Sequence, residues 1–233
     1  MNAEQLPRRP RPVGLIVIAV IAVIGLAVIA SLSLDEGDTD PIEIDHAGEV
    51  RKLIGGIPQL YERLGPDNAP VTVEVFNDLQ CTDCASFQGE SIDPLIADEI
   101  RDGEVKLIYR HWSMTERAVG VTSYGAVAAG LQGQQWQFID LAFRNQDEAE
   151  QRGITQEYLD EVAKGILNLN LEQWQRDLEE PEVAETLEED DLHAIDLRIP
   201  TEPSVIVTGP GGDRRLTDSP SLEEIEAAIM ELR

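Results

Sequence analysis

Lysine, histidine and cysteine are the scarce residues of this 233-residue chain. Only Lys52, Lys106 and Lys164 stand among 18 basic residues, against 45 acidic ones, for a formal net charge of −27. A surface so short of positive charge repels phosphate backbones and anionic lipid headgroups, which argues against nucleic acid as a partner. The acidity reads as a solvated, salt-tolerant surface. Three histidines, His46, His111 and His193, lie far apart in the sequence. With two cysteines they do not make the spacing of a closed four-ligand zinc site. No sequence signal supports a bound organic cofactor.

The two cysteines, Cys81 and Cys84, are three residues apart, and none remains for a structural disulfide elsewhere. A pair at this spacing is kept for its chemistry. Where it lies in the chain then decides which chemistry.

The compartment is written at the N-terminus. Arg8, Arg9 and Arg11 precede an uncharged run from Val13 to Leu34, and Asp35, Glu36, Asp38 and Asp40 follow it. About 20 apolar residues match the hydrocarbon core of a bilayer. Arginines stay on the cytoplasmic side, so everything after the run is expected outside. A cleaved signal peptide is the alternative, with small residues near Val28-Ile29-Ala30, but the length of the run favours an anchor. The expected organisation is a basic cytoplasmic segment over 1–12, a transmembrane helix over 13–34, a tether over 35–68 and a folded domain over 69–233. Either reading places the thiols where disulfides form and persist.

Within the domain, Val71-Thr72-Val73-Glu74-Val75-Phe76 alternates as a strand does, and the pair follows directly. Asp83 to Glu99 carries helical spacing, with Pro94 as an expected kink. Val105 to Tyr109 is a second strand, and a helical crossover of that length predicts parallel pairing. About 117–193 reads as helix throughout, with Thr155 capping one helix and Pro181 interrupting another. Trp136 and Trp174 are expected in packing roles. Ser204 to Thr208 returns to strand, Gly209-Pro210-Gly211-Gly212 turns, and Ser221-Leu222-Glu223-Glu224 has a capping-box pattern for a last helix. The fold class is α/β: a β-α-β unit and a β-β-α unit separated by a helical block.

Cys81 thus stands where the free N–H groups of a helix N-terminus point, which favours its thiolate. Cys84, one turn on, can attack a mixed disulfide formed at Cys81.

Asp78-Leu79-Gln80-Cys81-Thr82-Asp83-Cys84, preceded by Ala69-Pro70-Val71-Thr72 and followed by Tyr109-Arg110, resembles the DsbA-like branch of the thioredoxin superfamily. Gln132-Gly133-Gln134-Gln135-Trp136 and Phe143-Arg144-Asn145-Gln146 resemble that family's inserted helical subdomain. Leu197-Arg198-Ile199-Pro200-Thr201-Glu202-Pro203-Ser204 is similar to the stretch holding its cis-proline, which falls on Pro203. The resemblance implies a thioredoxin-like fold and disulfide exchange with exported thiol proteins. It also implies reoxidation by a membrane quinone-linked oxidase. Pro203 and Glu202 would contact a substrate strand, and Thr82 and Asp83 would tune the pair.

Three positions depart from the family pattern. Val75 replaces a buried glutamate six residues before the first cysteine, while Glu74 should face the other side of the strand. Asp83 stands where strongly oxidising members carry His, and Glu202 where a small residue precedes the proline. Two carboxylates near Cys81 disfavour its thiolate and predict a milder oxidant. A membrane-anchored thiol reductant, a copper-delivery protein and a non-enzymatic assembly factor of the same fold are the alternative functions.

Overall fold

The computed structural model describes residues 41–113 and 120–233. The segments 1–12 and 13–34, the first residues of the tether and the start of the helical insertion lie outside the described residues. Among the described residues no helix is long and apolar enough to cross a membrane.

The segment 35–68, expected as a tether, enters the domain from residue 42 onward. Helix α1 (Ala47–Ile54) buries Val50 and Ile54 and ends where Gly55-Gly56 follows. Strands β1 (Gln59–Leu60) and β2 (Arg63–Leu64) form a minimal hairpin that pairs antiparallel onto the sheet. Two-residue strands carry no period, so sequence pattern alone does not reveal them.

Strand β3 (Val71–Asn77) occupies the sheet's centre. Helix α2 (Thr82–Phe87) and helix α3 (Asp93–Leu95) are joined by a wide π-helical segment, Gln88–Ile92, and a second, Ile96–Ile100, follows. Pro94, expected as a kink, lies in a short α-helical turn between these two wide segments, which accommodate a residue that has no N–H to donate. Strand β4 (Val105–His111) pairs parallel with β3 along its whole length, two residues beyond the expected end, because Asn77 and His111 still pair.

The described part of the insertion is helical, as its pattern predicts. It comprises α4 (Val121–Gly130), α5 (Gln135–Arg144), α6 (Gln146–Arg152), α7 (Gln156–Lys164), α8 (Leu171–Asp177) and α9 (Pro181–Leu197). Thr155 caps α7 by accepting from the Tyr158 N–H at 3.2 Å. Trp136 and Trp174 are wholly buried. Their indoles donate to the carbonyls of Glu62 and Gly125, both at 2.8 Å. Residue 125 must be glycine for this approach, since a Cβ there would fall 2.6 Å from the Phe138 ring.

Strand β5 (Ser204–Gly209) runs antiparallel to β3, β6 (Gly212–Leu216) closes that edge, and α10 (Leu222–Leu232) begins with the expected capping box at Ser221. The strand order is β1-β2-β4-β3-β5-β6.

Side chains alternate across this sheet. Val71, Val73, Val75, Val105, Leu107, Tyr109, Val205 and Val207 join the large core with Phe87, Ile92, Ile225 and Ile229. Phe76 and Ile206 face the other way and pack with Trp112, Ala194 of α9 and Ile199. Each large side chain so buried contributes about 1.5–3 kcal/mol relative to exposure.

Candidate active site

The central strand delivers the chain to the pair. After Asn77, a short turn is held by the Asp78 carboxylate, which accepts from the Gln80 N–H at 2.9 Å, and by the Cys81 N–H donating to the Asp78 carbonyl at 3.1 Å. Cys81 then takes an extended conformation as the N-cap of α2, and its Sγ accepts the Cys84 N–H at 3.1 Å. Cys81 and Cys84 form a disulfide with Cα atoms 5.1 Å apart. Cys81 is partly exposed, Thr82 and Asp83 are exposed, and Cys84 is wholly buried. A helix N-terminus that already donates to one sulfur favours negative charge on that sulfur when the bond opens.

The helical insertion reaches this turn directly. Gln146, buried at the start of α6, donates through Nε2 to the carbonyls of Leu79 at 2.9 Å and Cys81 at 3.2 Å. The Thr82 hydroxyl donates to Glu150 at 3.2 Å. Behind Gln146, the Asn145 side chain donates to the carbonyls of Leu141 and Asp45, and the Tyr158 hydroxyl donates to that of Asn145. Gln146 belongs to a stretch that the sequence marked only for its resemblance. Its link to the Cys81 carbonyl depends on tertiary placement and has no local signal.

The Glu202–Pro203 peptide is cis, and Pro203 is buried with its carbonyl accepting from the Ser219 N–H at 3.2 Å. Phe76 pairs with Ser204 as the last pair of the β3–β5 ladder, with Asn77 and Pro203 each the next residue beyond it. The pair's approach strand and the proline thus share one end of the sheet. Asp83 and Ser219 line the same groove between α2 and the start of α10.

The departures from the family pattern have definite places. Val75 is wholly buried on the core face, and its partner across the parallel ladder is Tyr109. Glu74 lies on the opposite face, where Arg110 donates to it at 3.0 Å and His193 stands 3.4 Å away. Arg110 also donates to Asp190 at 3.1 Å, and the His111 N–H reaches the other Asp190 oxygen at 3.0 Å. Burial pushes Asp190 up to about 7 despite Arg110 and that N–H, which lower it. Burial, with Asp78, Asp190 and Glu202 adding to it, holds Tyr109 well above the ordinary phenol range. Burial first, and Arg110 second, take His111 down to about 3, so its ring is neutral.

A second buried group lies along the active-site helix. Arg144 donates to Asp140 at 3.1 Å, to Glu49 at 3.4 Å and also to Asp93, while Gln88 donates to Asp93 at 3.0 Å. Desolvation keeps both Asp93 and Asp140 above the ordinary carboxylate range, against the attraction of Arg144.

A central sheet with a disulfide at the N-terminus of the helix after its middle strand, and a cis-proline at the same sheet end, is the plan of a thioredoxin fold. The chain belongs to the thioredoxin family, whose model, described as Thioredoxin, matches residues 61–231. Its fold, helical insertion included, is that of solved DsbA-type structures.

Among proteins of similar sequence is the probable disulfide bond formation protein D of Bacillus anthracis. It is 28% identical over 151 residues, which cover 64% of this chain and 70% of that protein. The disulfide bond formation protein D of Bacillus subtilis is 24% identical over 168 residues, covering 71% of this chain and 74% of that protein. Among solved structures, oxidised BdbD from Bacillus subtilis superposes with a TM-score of 0.64 at 23% identity, over 75% of this chain and 96% of that chain. Alpha-DsbA1 from Wolbachia pipientis gives 0.62 at 18% identity, over 73% and 89%.

Proposed function

We propose that Cys81 and Cys84 are the reacting pair with which this protein-disulfide oxidoreductase exchanges disulfides with exported proteins. The observation that carries the reading is the asymmetry of the two sulfurs. Cys81 is accessible and accepts an N–H at a helix N-terminus, while Cys84 is buried one turn behind it. A substrate thiolate attacks Cys81 Sγ, and the electron pair of the broken bond leaves on Cys84. A second substrate thiolate then attacks its own partner sulfur and releases Cys81, so two electrons and two protons pass to the protein.

Pro203 and Glu202, at the sheet end that Asn77 shares, serve as the contact for an extended substrate segment. Thr82 and Asp83, exposed between the sulfurs, tune the pair. The apolar run 13–34 anchors the chain as a single-pass membrane protein with the domain outside the cytoplasm. A membrane quinone-linked oxidase returns the pair to the disulfide. Asp83 and Glu202 favour a second direction of flow, in which an anchored reductant supplies electrons, because negative charge beside Cys81 weakens the reduced thiolate.

One experiment bears on compartment and direction together. Thiol labelling of the full chain in intact cells should find the pair oxidised, and a reporter fused after Arg233 should be active only when exported. A pair held reduced would select the reductant reading, and a reporter active in the cytoplasm would overturn the placement. Replacing Asp83 by His should make the reduction potential more positive.

A further inference from the structure

The end of β3 buries polar atoms with nothing to bond. Both amide atoms of Asn77, the Tyr109 hydroxyl and His111 Nδ1 are shielded from solvent and have no hydrogen-bond partner among the described residues, in side chains with no exposed surface. They are neighbours by register. Asn77 pairs with His111 and follows Phe76, whose pairing with Ser204 ends the ladder to β5, and the Tyr109 and His111 rings stand 4.6 Å apart. Alternation along β3 and β4 puts all three on the face of Val75 and Tyr109, whose core includes Cys84. Orphaned buried polar groups of this kind are met by internal water, which needs two to four polar partners. Gln135 Nε2 stands 3.1 Å from His111 Nε2 and donates to it, which leaves the ring hydrogen on Nδ1 as a further donor into this space.

The chemistry needs such a group. When a substrate thiolate opens the disulfide, the sulfur of wholly buried Cys84 must take up one proton, and it must give that proton up before re-forming the bond. Bulk water does not reach it, and Val75 offers no carboxylate. We propose that Asn77, Tyr109 and His111 position internal water at the end of β3 and that this water exchanges the proton of Cys84. Asp78, Asp190 and Glu202 raise the Tyr109 phenol and Arg110 lowers the His111 ring, Arg110 and Asp190 acting from the other face of the sheet, so these are the charges whose field reaches the two side chains. The protein gains no electron in this step. The proton comes from the substrate thiol, stays on Cys84 while the pair is reduced and leaves when the pair is reoxidised. The three side chains act as positioning residues.

The proposal rests on Cys81 as the entry sulfur and Cys84 as the resolving one. The test uses the full chain in detergent, reduced and then reacted with a disulfide carrying a fluorescent thiol, so that release of the second thiol reports attack by Cys84. Cys84→Ser should end that release, and release that persists would defeat the assignment of the pair itself. Tyr109→Phe and Asn77→Ala should slow release at neutral pH by about tenfold or more and move its pH profile upward. Val75→Glu added to Tyr109→Phe should restore it, since residue 75 faces Tyr109 across the ladder. Should Asn77→Ala fail to fold, Tyr109→Phe decides alone, because it removes an oxygen that no described residue bonds. An unchanged rate and pH profile in folded Tyr109→Phe would overturn the proposal.

Discussion

Two groups of buried polar side chains flank the reacting pair, and they are built in opposite ways. Arg144, Asp140, Asp93 and Gln88 are tied to one another, with a guanidinium reaching three carboxylates across α1, α3 and α5, although Asp140 Oδ2 and Gln88 Oε1 have no partner among the described residues. The Asn77 amide, the Tyr109 hydroxyl and His111 Nδ1 lie as deep, yet they meet no partner among the described residues. A bonded charge group holds elements in place, because breaking it strands a charge in a low dielectric. An unbonded polar group adds little to stability and persists where something else uses it. The first group fixes the helix that carries Cys84, and the second serves what Cys84 does.

That contrast breaks most visibly at Arg144. Arg144→Ala leaves Asp140 and Asp93 without their shared cation and should cost about 3–5 kcal/mol of stability, read by denaturant unfolding of the domain. A loss below about 1 kcal/mol would place the group among ordinary surface pairs.

The next effect is a pH dependence. Asp190 has a folded pKa raised from 3.8 to about 7, so its folded state binds the extra proton. Its contribution is fully present below 3.8 and is lost as pH rises through about 7. Asp190→Asn should therefore flatten the fall in melting temperature between those limits. His111 has the opposite sign. Its folded pKa is lowered from 6.5 to about 3, and its contribution, present above 6.5, is lost as pH falls through about 3. Wild type and Asp190→Asn with parallel profiles from pH 4 to 8 would contradict the first assignment.

The smallest effect sharpens the comparison from the other side. Tyr109→Phe removes a hydroxyl with no hydrogen bond to the described residues, so stability should change by less than about 1 kcal/mol while exchange slows. A large stability loss there would mean that the two groups are alike.

Much of this was legible before any coordinates. Alternation in Val71–Phe76, helical spacing after the pair, the Thr155 and Ser221 caps and the break at Pro181 each reflect a local rule, and local rules survive folding. The hairpin β1–β2 was illegible because two residues establish no period. The wide turns about Pro94 were foreseen only as a kink. Arg144 and Asp140 stand four apart on one helix, a spacing that predicts an ion pair but not its burial with Asp93. Asn77 did leave a trace: it continues the inward phase of Val71, Val73 and Val75 with a polar side chain. What gave the trace meaning was the register that paired it with His111 at the end of the sheet where the β5 ladder stops, and register is a property of the strands together.

The central claim concerns which sulfur meets the substrate, and trapping tests it most directly. With the full chain expressed in cells and free thiols blocked at harvest, Cys84→Ser should accumulate mixed disulfides with exported proteins on Cys81. Cys81→Ser should accumulate few or none, since the remaining sulfur is buried. Equal trapping by the two variants, or none by Cys84→Ser, would contradict the account.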